Sequence, residues 1–236
     1  MTHEKMVDQL FEALINGDRI QSRRLVDEAL AQGVTPEELT TDVFWPTYEM
    51  ISRLFRADQL STLSHHMATR LLRVLCDQAT ANFRQAPRRD RSVFTISGPT
   101  EFDEVAAQMA SDLLEREGLQ VTFAGGGIAL DEILAHVQSN QPHVLMIFAS
   151  APGDLPMIRE LIDSIHEIGA CRALQIAVGG GVFNRAEGLA VEIGADLWAA
   201  SPMELVESVL EMPAQRASAE QRTVGRKRVT TRRKAA

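Results

Sequence analysis

Ala177-Val178-Gly179-Gly180-Gly181-Val182-Phe183-Asn184, followed shortly by Gly194-Ala195-Asp196, is the stretch that decides the fold of this 236-residue chain. An apolar strand runs into three glycines, and another short strand follows after a helical interval. Glycine tolerates backbone conformations that other residues resist, and it lets a ligand approach bare backbone. Placed at the carboxyl end of a strand in an open α/β sheet, such a stop marks a binding edge. The stretch therefore predicts a pocket for a large flat or phosphorylated ligand.

Working outward, short apolar runs at 92–97, 120–124, 143–149, 174–178 and 196–199 alternate with helical patterns near 103–116, 129–138, 154–168, 185–193 and 202–211. Alternation of this kind means a parallel sheet covered on both faces. Five strands fit a flavodoxin-like, doubly wound order. A second glycine triplet, Gly125-Gly126-Gly127, follows the second strand as Gly179-Gly180-Gly181 follows the fourth. Both could be plain strand-to-helix turns, but three glycines twice on the ligand edge favour a pocket. Neither triplet has the spacing of a dinucleotide or P-loop site.

Upstream, residues 4–82 read as helix. Apolar stripes at Leu10, Phe11, Leu14, Ile15 and at Ile20, Leu25, Val26, Ala29, Leu30 end at Gly17 and Gly33. Thr35-Pro36-Glu37-Glu38 is a capping-box start. A third helix should run from Trp45 to Phe55, with Pro46 early in it or kinking it. A fourth begins at Ser61, with Leu63, Met67, Leu71, Leu72, Leu75 and Cys76 inward. The fold class is thus α/β, with an N-terminal four-helix bundle (1–83), a linker (84–91), a five-stranded parallel domain (92–212) and a basic, disordered tail (213–236).

The chain is 45% hydrophobic and 24% charged, as soluble globular proteins are, and no apolar run is long enough to span a bilayer. No signal-peptide pattern opens it, and Cys76 and Cys171 read as buried free thiols, so the expected location is cytoplasmic, away from membranes. Residues 216–236 carry a local charge of +7 within a chain of net −8. That tail suits sequence-independent nucleic-acid contact, with a solvated terminus as the alternative.

A helical bundle followed by a flavodoxin-like domain resembles the cobalamin-binding module of methionine synthases, corrinoid methyltransferase proteins and light-sensing cobalamin-dependent repressors. The resemblance covers about residues 5–212. It rests on the late glycine motif with its Gly-Ala-Asp, on Ser150 after the third strand, on Leu54–Ser61, and on Ser64-His65-His66-Met67-Ala68-Thr69. It implies a corrinoid or another tetrapyrrole between the two domains. Phe55 stands where the family has a tryptophan over the ring, and Ser150 where a serine touches the nucleotide tail. His66 matches a histidine that reaches cobalt from above in the light sensors; His65 replaces a glutamate.

The family's D-x-H-x-x-G signature is degenerate here. The stretch is Glu101-Phe102-Asp103-Glu104-Val105-Ala106, with Asp103 at the lower-ligand histidine and Ala106 at the glycine. A carboxylate is a harder donor than imidazole, so base-off, His-on cobalamin is not expected. Helix-start carboxylates also have a plain explanation in the helix dipole.

Adjacent helical residues diverge by about 100°. His66 is therefore the expected metal ligand and His65 the solvated or supporting residue. Leu63 and Met67 should line apolar surface nearby, and His136, His143 and His166 should be structural. The expected function is non-catalytic: a sensory or regulatory protein with cobalamin or another tetrapyrrole as ligand and an unidentified regulatory protein partner. The alternatives are a vestigial module acting only through protein or nucleic-acid contacts and, least favoured, a corrinoid carrier subunit of a methyltransferase. The predicted site comprises Phe55, His65, His66, Asp103, Ser150 and the two glycine triplets.

Overall fold

The computed structural model describes residues 2–169, 171 and 173–218. Strands β1 (Ser92–Ser97), β2 (Gln120–Gly125), β3 (Val144–Phe148), β4 (Gln175–Gly179) and β5 (Leu197–Trp198) form one sheet in the order β2-β1-β3-β4-β5. Every pairing is parallel. That is the flavodoxin-like order, and it puts the switch point between β1 and β3. The central strands β3 and β4 are buried along their whole length, which is why they read as unbroken apolar runs. Edge strand β2 alternates in exposure instead. Its register slips opposite Thr95/Ile96, so that Gly125 rather than Ala124 pairs with Ile96.

The N-terminal helices are α1 (His3–Ile15), α2 (Arg19–Ala31), α3 (Pro36–Glu38), α4 (Trp45–Arg56) and α5 (Thr62–Thr80). Thr35 and Glu38 close a reciprocal capping box, and Ser61 caps α5. A π-helical stretch, Leu39–Phe44, joins α3 to α4. Pro46 can donate no backbone hydrogen bond, and the ladder widens just ahead of it instead of breaking. Two parts of the expected stripes face outward: Ile20 is 81% and Leu63 69% exposed. Met67 packs its sulfur on Gly17 rather than on a ligand surface.

In the second domain α6 (Glu101–Arg116), α7 (Leu130–Asn140), α8 (Leu155–Ile168) and α11 (Pro202–Glu211) cover the sheet. The helix expected over 185–193 is two short pieces, α9 (Gly181–Arg185) and α10 (Leu189–Glu192). The first begins directly on the glycine triplet, and Gly188, at φ +80°, separates the two.

The bundle and the α/β domain share one apolar core, which runs from Leu10 and Leu72 to Ala106 and Leu114. Along the α5–α6 contact lies a row of polar rungs: Arg70–Glu101 at 3.2 Å, Arg73–Glu104 at 2.6 Å, Gln108 to Asp77 at 2.6 Å and Thr80 to Asp112 at 2.7 Å. The partners step along both helices by three or four residues, which keeps each set on one face.

The disorder expected from residue 213 onward does not hold for residues 213–218. Ala217 donates its backbone N–H to Asp196 at 2.6 Å, Arg216 bonds the Ala173 carbonyl, and Gln175 reaches the Met212 and Gln215 carbonyls. The segment folds back because buried Gln175 needs those acceptors. The disorder and nucleic-acid expectations for 219–236 lie outside the described residues. Among the described residues no helix is long and apolar enough to cross a membrane.

Candidate functional site

A cleft of about 570 Å³ opens between α4 and α5 on one side and the β1–α6 turn on the other. The bundle supplies an upper wall of Phe55, His65, His66 and Thr69, and the α/β domain a lower wall of Pro99 to Asp103 with Ser150. A mostly apolar cleft with a few convergent polar groups, on the carboxyl edge at a switch point, is where such folds bind ligands.

The upper wall corrects the sequence reading of the two histidines. His65 is the inner one: half-buried, stacked on Phe55 at 3.9 Å, and 5.0 Å from Phe102. Its Nδ1 is buried without a hydrogen-bond partner. His66 is exposed at the rim, edge-on to His65 at 6.0 Å. The divergence of adjacent helical residues holds, but it turns His65 rather than His66 inward. Burial, and then the nearby His66, lowers the His65 pKa, which keeps its imidazole neutral and available as a donor ligand at neutral pH. Leu63 takes no part.

The lower wall is built on helix-capping chemistry. Thr100 caps α6, accepting from the Asp103 backbone N–H at 3.1 Å and donating its hydroxyl to Asp103 Oδ2. Asp103 is only 2% exposed. Its other oxygen, Oδ1, has no partner. Gly98 makes room for this carboxylate: a Cβ there would lie 2.6 Å from Asp103 Oδ2 and 3.1 Å from Asp154 Oδ2. Two carboxylates thus meet over one glycine, and burial, then Asp103, raises the pKa of Asp154.

Trp45, Tyr48 and Phe102, which the sequence analysis did not assign to the site, extend it. Trp45, Tyr48, Phe102, His65 and Phe55 form a continuous file of rings across the domain boundary, with Tyr48 on Phe102 at 3.9 Å. Trp45 and Tyr48 could have been found as an i, i+3 aromatic pair on one helix. Phe102, flanked by acids, gave no such hint. The Tyr48 phenol is buried beside the Ser150 hydroxyl, and burial followed by Asp103 pushes its pKa up. Ser150 therefore does reach the cleft, already engaged by the bundle.

The glycine triplets part company. Gly180 and Gly181 line a second cavity of about 420 Å³ that adjoins the cleft through Arg56 and Arg185. Gly179 lies at the end of β4, where a Cβ would press on the Phe148 ring at 2.9 Å. Gly125 and Gly127 line a separate cavity of about 180 Å³ on the far side of Pro99, and Gly126 packs so tightly that a Cβ would meet the Gly98 carbonyl at 2.0 Å. Neither triplet lines the large cleft itself: Gly180 and Gly181 reach only the cavity beside it, and Gly125 and Gly127 lie in the separate one.

Among the described residues no three His, Cys, Asp or Glu converge on a metal point. His136 stacks on Phe94 at 4.1 Å and His143 bonds Ser92, both structural roles.

Set against known proteins, residues 6–79 match the family model of a B12 binding domain (B12-binding_2), and residues 91–207 match that of a second B12 binding domain. A monomethylamine corrinoid protein of Methanosarcina barkeri superposes with a TM-score of 0.78 at 17% identity, over 89% of this chain and 99% of that one. A cobalamin-binding protein of Desulfitobacterium hafniense DCB-2 gives 0.47 at 15% identity, over 86% and 97% of the two chains. The methanol:cobalamin methyltransferase complex of Methanosarcina barkeri gives 0.49 at 16% identity, over 93% and 84%. No curated protein matches by sequence.

Proposed function

The chain belongs to the family of proteins built from these two B12 binding domains, and on that premise we propose that it is a corrinoid-binding sensory or regulatory protein, not a methyl carrier. The residues fit the flat faces of a corrin ring: an aromatic and imidazole wall above, and below it a wall of Pro99 to Asp103 with Ser150. They do not fit an imidazole from below. The observation that carries the reading is Asp103, buried and bonded to its own cap at the position where the family resemblance puts a histidine. A bound corrinoid supplies a cobalt ion, and borderline metals favour imidazole nitrogen over carboxylate oxygen. The two imidazoles that line the cleft both stand on the upper wall. That asymmetry suits retention and signalling better than repeated methyl carriage.

The test is to incubate purified protein with methyl-, adenosyl- and hydroxocobalamin, haem and a bilin, desalt it, and read retained visible absorbance. Retention of a cobalamin is expected. The bound spectrum should change in His65→Ala or His66→Ala and stay unchanged in Asp103→Ala. A spectrum that depends on Asp103 would reverse the assignment, and colourless protein with every ligand would remove it. The regulatory half expects loaded and ligand-free protein to differ in elution volume. Identical elution, together with ready methyl transfer to a thiol, would make the chain a carrier.

A further inference from the structure

Two arginines stand where the ring cleft meets the second cavity, and both line both spaces. Arg56 is the last residue of α4, and Arg185 the last of α9. They come from different domains. Arg185 donates Nη2 to the Ser150 carbonyl at 2.6 Å. Its Nη1 lies 2.6 Å from where a Cβ on Gly181 would stand, so a glycine at 181 lets the guanidinium lie against the backbone. Arg56 bonds the Ser52 hydroxyl.

The guanidinium groups are close enough that, after burial, the charge of Arg56 is what lowers the Arg185 pKa. Among the described residues neither arginine makes an ion pair. A third arginine in the second cavity, Arg53, is matched by Glu49, whose carboxylate it steadies. In the second cavity the surplus is therefore Arg56 and Arg185, while the ring cleft they also line holds Asp103, bonded to Thr100. Two like charges brought together from separate domains repel unless an anion sits between them, and a planar guanidinium is the side chain best shaped to grip an oxyanion. Gly180, at φ +100°, has its would-be Cβ 2.4 Å from the Ala149 carbonyl, so the cavity wall beside the pair is bare backbone.

We propose that Arg56 and Arg185 form a clamp, spanning the two domains, for an oxyanion carried by the ligand. This rests on the tetrapyrrole reading of the cleft and adds to it the class of substituent held beside the ring: a phosphodiester or a carboxylate.

The test uses the full chain and, first, inorganic phosphate at constant ionic strength, with binding followed by calorimetry. Arg56→Gln and Arg185→Gln should each weaken phosphate about tenfold, the scale of one charge-assisted hydrogen bond. Arg24→Gln, in the surface pair with Glu28, should change nothing. Equal phosphate affinity in wild type and in the double variant would overturn the clamp.

Retention of tetrapyrroles then identifies the source. Variants that lose cobalamin but keep cobinamide, which lacks the phosphodiester, place the phosphodiester in the clamp. Variants that lose haem but keep its dimethyl ester place a ring carboxylate there. Arginine-dependent phosphate binding in a protein that retains no tetrapyrrole would leave the clamp standing and remove the ring reading. Undiminished tetrapyrrole retention in the double variant would do the opposite.

Discussion

The two walls of the cleft are made of different chemistry, although each presents its candidate ligand residues near the start of a long helix. On the upper wall, α5 presents His65 and His66 with nothing bonded to the His65 Nδ1. On the lower wall, α6 presents Asp103, whose Oδ2 is spent on the Thr100 hydroxyl and whose body is sealed under Gly98 and Asp154. The His65 imidazole is held by ring stacking, whereas the Asp103 carboxylate, its Oδ1 likewise unpartnered, is tied through Oδ2 into the cap of its own helix. A helix start is thus either a cap or a site, and the choice depends on which polar atoms the local backbone claims.

The sharpest way to break this contrast is Phe102→Ala. Phe102 is buried between Tyr48 and His65, and truncation should cost about 3–5 kcal/mol, the usual scale for a core phenylalanine. Urea denaturation measures it. A loss near zero would mean that the lower wall is no more structural than the upper.

The next effect lies on the seam behind the walls. Burial raises the Asp112 pKa to about 6, against the pull of Thr80 and Gln108. A raised carboxyl pKa means that the folded state holds its proton more tightly. The group therefore costs stability above pH 6, and the cost disappears as pH falls towards 3.8. Asp112→Asn should stabilise the protein by about 2 kcal/mol at pH 7 and hardly at all at pH 4. Melting curves at the two pH values check the sign.

On the upper wall, Phe55→Ala should cost only about 1 kcal/mol of stability, since Phe55 is half-buried and stacks on one ring. It should reduce corrinoid retention more than Phe102→Ala does in protein that is still folded. The smallest effect is the acid-side loss from His65. Its lowered pKa means that the unfolded chain takes up the proton first, so its contribution fades as pH drops below about 6.5. His65→Gln should flatten the stability profile between pH 7 and pH 5; an unchanged slope would place the titration elsewhere.

Much of the architecture was legible because single-segment patterns specify it. Buried strands such as Val144–Phe148 are continuous apolar runs, and Thr35 with Glu38 and Ser61 with Ser64 announce helix starts by side chains that need only local partners. Of the residues expected at the site, Phe55, the histidine pair, Asp103 and Ser150 line one cleft, and all belong to recognisable stretches; the glycines do not line it.

What escaped depends on contacts between distant segments. Tyr48 against Phe102, Asp103 against Asp154 across Gly98, and Arg56 beside Arg185 leave no periodicity in either partner. The order of the two histidines escaped because ring contacts with Phe55 and Phe102, not the helix angle alone, mark which imidazole is inside. Leu63 misled for a related reason: its place in the apolar stripe of α5 falls beyond the end of the surface that packs on the other helices.

The four rungs between α5 and α6 also act as a ruler. Sliding α5 one turn along α6, about 5.4 Å, in one direction would set Asp77 against Glu104, and in the other against Asp112. Asp77, the one acid that α5 contributes to these rungs, faces neutral Gln108 only in the observed alignment. Both slips are closed by carboxylates meeting carboxylates. Because His65 and His66 ride on the first turn of α5, and Phe102 and Asp103 on the first turn of α6, the same alignment fixes the height of the cleft, and with it the thickness of anything that can lie flat inside.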